Sequence, residues 1–293
     1  MKKTPPKKIA TKKEAISSSQ KKELHVCVDR PISTLNLHRQ MFEAIKANPE
    51  NNPAKSGTVE QSVMRSFITN PHQQFGTEEH VVLSRMAILT GNKWQKGQTI
   101  TVAFFDGSVL QKSKTKKYAR YWTRKKKANA NIKLKFVNGR KAIIRISFIA
   151  DSGSWSTVGT DCNIVPDNEP TMNFGWLRNN TDDDEWERVV VHEFGHALGC
   201  IHEHQNPAKG INWNKPVVYK YFEGPPNNWS KAEVDSNIFD KYSKNITQFT
   251  AVDNDSIMMY FFPPEFTTDG FGTPENKHLS PVDIDFIRKQ YPD

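Results

Sequence analysis

Cysteine is scarce: only Cys27, Cys162 and Cys200 occur in 293 residues. So sparse and odd a set cannot build the disulfide framework of a small secreted domain, and it fits a reducing compartment. Long apolar runs are also missing, since the longest are a few residues and a membrane-spanning helix takes about 20. The lysine-rich start is followed by no hydrophobic segment, so it does not read as a secretory signal. The expectation is a chain with no membrane span and no Sec leader, either cytoplasmic or exported by a leaderless route as an effector.

Acidic residues are nearly absent from the N terminus. Residues 1–22 hold eight lysines against Glu14 alone, which accounts for seven of the nine net positive charges and leaves the remainder close to neutral. Built from Lys, Ser, Thr and Pro, residues 1–23 read as a solvated basic tail. Beyond it the composition is globular: 36% of the chain is hydrophobic, with 7 Trp and 17 Phe to fill a core. Residues 24–75 read as an N-terminal extension or prosegment, with an apolar stretch at 24–28, a helix near 32–45 and an Asn/Pro-rich break at 48–53. Residues 76–293 form the main domain, and no internal repeat is present.

Within that domain, 99–105 is strand-like and ends at the turn Asp106-Gly107. A helical stretch is expected over 108–129, and alternating apolar and polar residues predict strands at 132–137 and 142–148. Strand, helix, strand, strand suggests a mixed sheet. Trp186, Val190, Phe194, Ala197, Leu198 and Ile201 recur at helical spacing, so 183–198 reads as an amphipathic helix. Thr181 and the acidic run Asp182, Asp183, Asp184 and Glu185 place capping oxygens and negative charge at its start, a simpler role for those aspartates than calcium binding. Ser280, Pro281 and Asp283 mark the start of a final helix in the same way.

His192-Glu193-Phe194-Gly195-His196 sets two imidazoles one helical turn apart on one face, where both reach one zinc ion. Gly199 supplies a left-handed helix end, after which His202 offers a third ligand. Three protein ligands leave one position open, as in catalytic rather than structural zinc sites. Five-residue patterns of this sort arise by chance, but requiring Gly199 and His202 at fixed spacing lowers that chance by roughly several hundred-fold. Cys200, between two ligands, reads as a small buried hydrophobe rather than a fourth ligand.

From His192 to His202 the chain resembles the metzincin zinc proteases at every defining position, with Glu193 matching their general base. Glu203, after the third histidine, looks like the astacin branch. Ser256-Ile257-Met258-Met259-Tyr260 resembles the astacin Met-turn, which implies Met258 as the floor beneath the zinc and Tyr260 as a fifth ligand. In the matrixin frame Met259-Tyr260 would be the turn instead and Tyr260 would leave the metal; Glu203 favours the astacin frame. Gly153-Ser154-Trp155-Ser156-Thr157-Val158-Gly159 is similar to an astacin stretch that carries cysteine where this chain has Ser154, so the corresponding bridge cannot form. The resemblance covers about 100–292 and implies an α+β zincin fold: a mixed twisted sheet with an active-site helix, over an irregular lower subdomain ending in a C-terminal helix. It also places Thr171, Met172, Asn173 and Phe174 on the edge strand that pairs with an extended peptide.

The implied function is zinc-dependent endopeptidase action on protein or peptide substrates. A zinc-bound water attacks, Glu193 is the general base and Tyr260 hydrogen-bonds the oxyanion. Phe261, Phe262 and Phe271 are candidates for an apolar specificity pocket. The lysines and arginines between Lys112 and Lys127, interleaved with Tyr118, Tyr121 and Trp122, raise nucleic-acid binding as a rival. A solvated helix face with core-facing aromatics explains them more simply. A zinc-holding module without turnover is disfavoured by Glu193. Cys27 and Asp29 lie upstream, where a prosegment residue could block the metal, but no known switch motif surrounds them and Cys27 reads as an ordinary residue of a buried strand.

Overall fold

The computed structural model describes residues 27–29, 37–52, 59–69, 91–150, 152–206, 210–225, 227–241 and 252–293. The basic tail and the first part of the helix expected from residue 32 lie outside these. In chain order the elements are β1 (Cys27–Asp29), α1 (Leu37–Ala47), α2 (Val59–Thr69), β2 (Thr99–Phe104), α3 (Val109–Ala119), β3 (Lys133–Phe136), β4 (Ile144–Ser147), β5 (Ser154–Ser156), β6 (Met172–Phe174), α4 (Asp183–Ala197), α5 (Lys215–Phe222), α6 (Lys231–Val234) and α7 (Pro281–Gln290).

Six strands form one sheet in the order β1-β5-β6-β4-β2-β3. All neighbours are parallel except β5 and β6, so the sheet is mixed, and helices pack on it in an α+β arrangement. Among the described residues no helix is long and apolar enough to cross a membrane. Alternation sets the register of β2: Ile100 and Val102 are fully buried, while Thr99 and Thr101 look the other way.

The helix expected over 108–129 ends at Ala119. Ser108 starts it with a capping box closed by Gln111, and the chain then turns so that Trp122 Nε1 donates 2.8 Å to the Val191 carbonyl inside α4. Tertiary contact overrides the helical propensity of the lysine-rich stretch that follows.

Two apolar cores result. The upper holds Ile100, Val102, Trp122, Trp186, Phe194 and Met258, between the sheet and α3, α4 and α7. The lower holds Val218, Phe222, Ile238, Met259, Tyr260 and Phe262. No disulfide links them, because Cys27, Cys162 and Cys200 are all buried and free. Ser154, in place of the astacin cysteine, is fully buried and its Oγ accepts from Gly175 N at 3.1 Å.

Residues 37–52 are hydrogen-bonded into the main domain. Asn51 exchanges two bonds with the Lys93 backbone at 2.8 and 3.0 Å, and Asn48 Nδ2 donates to the Trp94 carbonyl at 3.1 Å. Gln40 Nε2 donates 2.8 Å to Asp161 Oδ2, which also accepts from Asn92 at 3.2 Å, while Asp161 Oδ1 is buried with no hydrogen-bond partner among the described residues.

Burial pushes the Asp161 carboxyl up to about 7 against the lowering effect of Gln40. A carboxyl raised in the folded state contributes stability that is complete below its unfolded value, near 4, and lost as pH rises through about 7. Asp161→Asn should therefore raise the melting temperature by a few degrees above neutral pH, with the gain vanishing near pH 4. Thermal melts of both proteins across that window check the slope.

Candidate metal centre

The active-site helix α4 begins at Asp182, whose side chain accepts from Glu185 N at 2.8 Å. Asp183 pairs with Lys114 and Lys117, and Asp184 with Lys277, so the acidic run is consumed in capping and ion pairs. The helix ends in a Schellman turn: Gly199, at φ +95°, donates to the His196 carbonyl at 2.8 Å, and Cys200 N donates to the Gly195 carbonyl at 2.9 Å. Two further carbonyls at this end are met from afar, Ala197 by Trp94 Nε1 at 2.7 Å and Leu198 by the Tyr291 hydroxyl at 2.7 Å.

The turn brings His202 back over the helix. The Nε2 atoms of His192, His196 and His202 lie 3.1, 3.1 and 3.2 Å apart, and all three residues are buried. Zinc bound tetrahedrally at about 2.0–2.1 Å from nitrogen separates its ligand atoms by about 3.3 Å, so the spacing fits. The tautomers fit as well. His192 Nδ1 lies 2.7 Å from the Ile257 carbonyl and His196 Nδ1 lies 2.9 Å from the Cys200 carbonyl. A carbonyl only accepts, so both Nδ1 atoms carry the proton and both Nε2 atoms present lone pairs to the same point. Burial first, then the nearby imidazoles of His196 and His202, push the His192 pKa well below its ordinary value, which keeps the ring neutral and ready to ligate.

The turn at 256–260 is held from below. Asp283 caps α7 in a box with Ser280 and accepts from Ser256 Oγ at 2.6 Å and Ile257 N at 2.8 Å. The Met258 carbonyl accepts from Glu203 N at 3.0 Å, which ties the turn to the segment carrying His202. Met258 packs under the helix between the two first ligands: a Cβ on Gly195 would collide with Met258 Sδ. Met259, by contrast, belongs to the lower core. The Glu203 side chain accepts from Asp253 N and from Asn206, and burial raises its pKa to about 7.

Glu193, fully buried, projects from the same helix turn. Tyr260 stands beside the triad, its ring centroid 4.3 Å from that of His202 and 4.3 Å from that of His204, on which it stacks. His204 was not singled out from the sequence, although its two-residue offset from His202 was the available signal. Its Nε2 is 2.9 Å from the Asn237 carbonyl, which steadies the ring against Tyr260. A cleft lined by Glu203, His204, Ile211, Met259 and Phe271 opens alongside; Phe262 is instead buried in the lower core.

One placement needs correction. Thr171, Met172, Asn173 and Phe174 do not form an edge strand. β6 is flanked by β4 and β5, all four residues are fully buried, and Asn173 Nδ2 is committed to the Ile149 and Gly153 carbonyls. The strand beyond it is β5, and β1 runs parallel along its outer side with Cys27 opposite Ser154. Cys27 faces α4, and burial followed by the Glu193 charge pushes its thiol pKa well up.

No family model matches the chain, and no curated protein does. Among solved structures, one of myroilysin, an astacin-family zinc metalloprotease, matches with a TM-score of 0.66 at 46% identity, over 69% of this chain and 96% of that one. The chain belongs to the astacin family. A second myroilysin structure matches with a TM-score of 0.55 at 46% identity, over 69% of this chain and 86% of that one. High choriolytic enzyme 1, a hatching-enzyme zinc protease of Oryzias latipes, matches over 67% of this chain and 92% of that one at 18% identity with a TM-score of 0.44. Among the described residues of this astacin, His192, His196 and His202 are the group able to hold a metal ion, in keeping with one catalytic zinc.

Gly195→Ala keeps helical propensity but drives a methyl into Met258, so it should lower both the melting temperature and zinc retention on dialysis. Metal analysis after dialysis, beside a thermal melt, reads both; an alanine variant with parental zinc content would show that Met258 yields without cost.

Proposed function

We propose that in this astacin-family zinc metalloendopeptidase Glu193 is the general base and Tyr260 the oxyanion donor. The observation that carries the reading is the convergence of three buried Nε2 atoms with Glu193 on the same helix turn. Zinc, when bound, supplies the Lewis acidity that polarises a scissile carbonyl. Glu193, buried beside that point, takes the proton of the attacking water and returns it to the leaving amine. The Tyr260 hydroxyl donates to the oxyanion, while His202 and His204 orient its ring. Met258 supports the ligand helix from beneath, the role of the Met-turn in the astacin frame.

The separating experiment is a pair of variants. Glu193→Gln should retain near-parental zinc yet lose about a hundredfold to ten-thousandfold in peptide hydrolysis, since only the proton acceptor is gone. Tyr260→Phe should cut turnover by about ten to a thousandfold with a smaller change in substrate affinity. Parental hydrolysis by the glutamine variant would sink the mechanism, and unchanged turnover in the phenylalanine variant would remove Tyr260 from it.

A second reading concerns 24–75, which we infer to be an inhibitory prosegment. It is supported by β1 lying along the outer side of β5, by the bonds of Asn48 and Asn51 to 93–94, and by a buried Cys27 whose thiol feels the charge of the proposed base. In this reading the strand takes the place of an extended substrate and the thiol engages the group that must accept a proton. Cys27→Ala should make the full chain more active than its parent on a peptide substrate; equal or lower activity would leave Cys27 as a packing residue only.

A further inference from the structure

The near-neutral balance outside the tail conceals a strong segregation of charge. Residues 107–150 contain fourteen lysines and arginines and no aspartate or glutamate, whereas the chain outside them and outside residues 1–22 holds nineteen cations against thirty-one anions. Arg145 is a structural exception. It is buried, and its guanidinium is spent on the carbonyls of Ala142, Val165, Pro166 and Glu169. The other thirteen lie on or between α3 and β3 and in the loops around them. Among the described residues, only Lys114 and Lys117 of these pair with a carboxylate, both with Asp183.

The cations form one continuous surface. Lys116 and Arg120 of α3 reach over the Phe136 ring of β3, at 5.7 and 5.5 Å. Exposed Arg124 and the run 125–127 continue from the end of α3, with Lys127 over Tyr121 at 4.3 Å. Lys133 and Lys135, both exposed, project from the opposite face of β3, and Arg140 lies 4.7 Å from the Phe105 ring. The surface therefore wraps the outer edge of the sheet. Lysines on an edge strand discourage strand addition, which accounts for Lys133 and Lys135 but not for the rest. Concentrating so much like charge costs self-repulsion, which an anionic polymer relieves with release of its counterions.

We propose that this face is a docking surface for an acidic polysaccharide. Its form favours a flexible polyanion over nucleic acid. The aromatic rings on it are covered by Lys116, Arg120, Lys127 and Arg140, so no open ring offers the stacking platform that unpaired bases use. A chain read by charge alone can follow the cations around β3, from Lys116 and Arg120 on one face to Lys133 and Lys135 on the other. The surface also sits at the β3 end of the sheet, four strand spacings or about 19 Å from β5 and the β1 strand that runs along it. The surface would hold the protein on an anionic matrix.

The test uses the full chain and heparin as the sulfated polysaccharide, with Kd measured at low and high salt. Salt-sensitive binding is expected. Lys125→Glu, Lys126→Glu, Lys127→Glu, Lys133→Glu and Lys135→Glu together should weaken it by about tenfold or more, while glutamine at the eight lysines of residues 1–22 should change it by less than about twofold. If circular dichroism shows the charge-reversed protein to be unfolded, glutamine at the same five positions should weaken binding in the same direction. Parental affinity in the folded five-site variant, or loss of binding in the tail variant instead, overturns the proposal. Tighter binding to double-stranded DNA than to heparin at equal charge concentration overturns it in favour of nucleic acid.

Discussion

Three imidazole Nε2 atoms gathered at one point repel one another, and the architecture around them is arranged to hold them there. Two of the rings are oriented through their other nitrogen. The Ile257 carbonyl does this for His192 and the Cys200 carbonyl for His196. Those two acceptors come from different devices, the Met-turn anchored on Asp283 and the Schellman turn made by Gly199. A cation at the centre turns the repulsion into attraction, so metal affinity and the rigidity of the two turns are linked.

The centre sits where two cores meet. Ile257 and Met258 pack upward with the sheet and α4, while Met259 and Tyr260 pack downward with α5 and the loops around it. The chain crosses from one to the other within a single peptide unit. This division separates tasks: residues that hold the metal answer to the upper core, whereas the ring that faces it from the side answers to the lower. His204, stacked on Tyr260 and bonded to the Asn237 carbonyl, belongs to the lower set and fixes the ring from its far face.

Much of this was legible before any coordinates. The ligand helix, its acidic cap, the left-handed stop at Gly199 and the third histidine follow from spacing and local chemistry, because each is a short-range property of the backbone. The strands at 99–104, 133–136 and 144–147 announced themselves by alternation. What failed was long-range. The lysine-rich stretch after Ala119 looks helical, yet Trp122 is taken by the Val191 carbonyl across the core. Strand identity was right for 172–174 but its rank in the sheet was not, since nothing local in Thr171-Met172-Asn173-Phe174 says which strand lies outside it. Asp283 reads locally as a cap, yet its Oδ1 accepts from Ser256, 27 residues away, and its capping Oδ2 also accepts from Ile257, 26 residues away.

The far end of α4 carries a consequence for folding. Its last carbonyls are met by Trp94, 103 positions upstream, and by Tyr291, 93 positions downstream. Contacts of such sequence separation form late, because most of the chain must be ordered before they repay the entropy of closing so large a loop. The helix and its glycine turn can form early from local bonds, but the packing around that turn is complete only with both partners. A peptide carrying only 192–202 would have the right ligands without the frame that aims them.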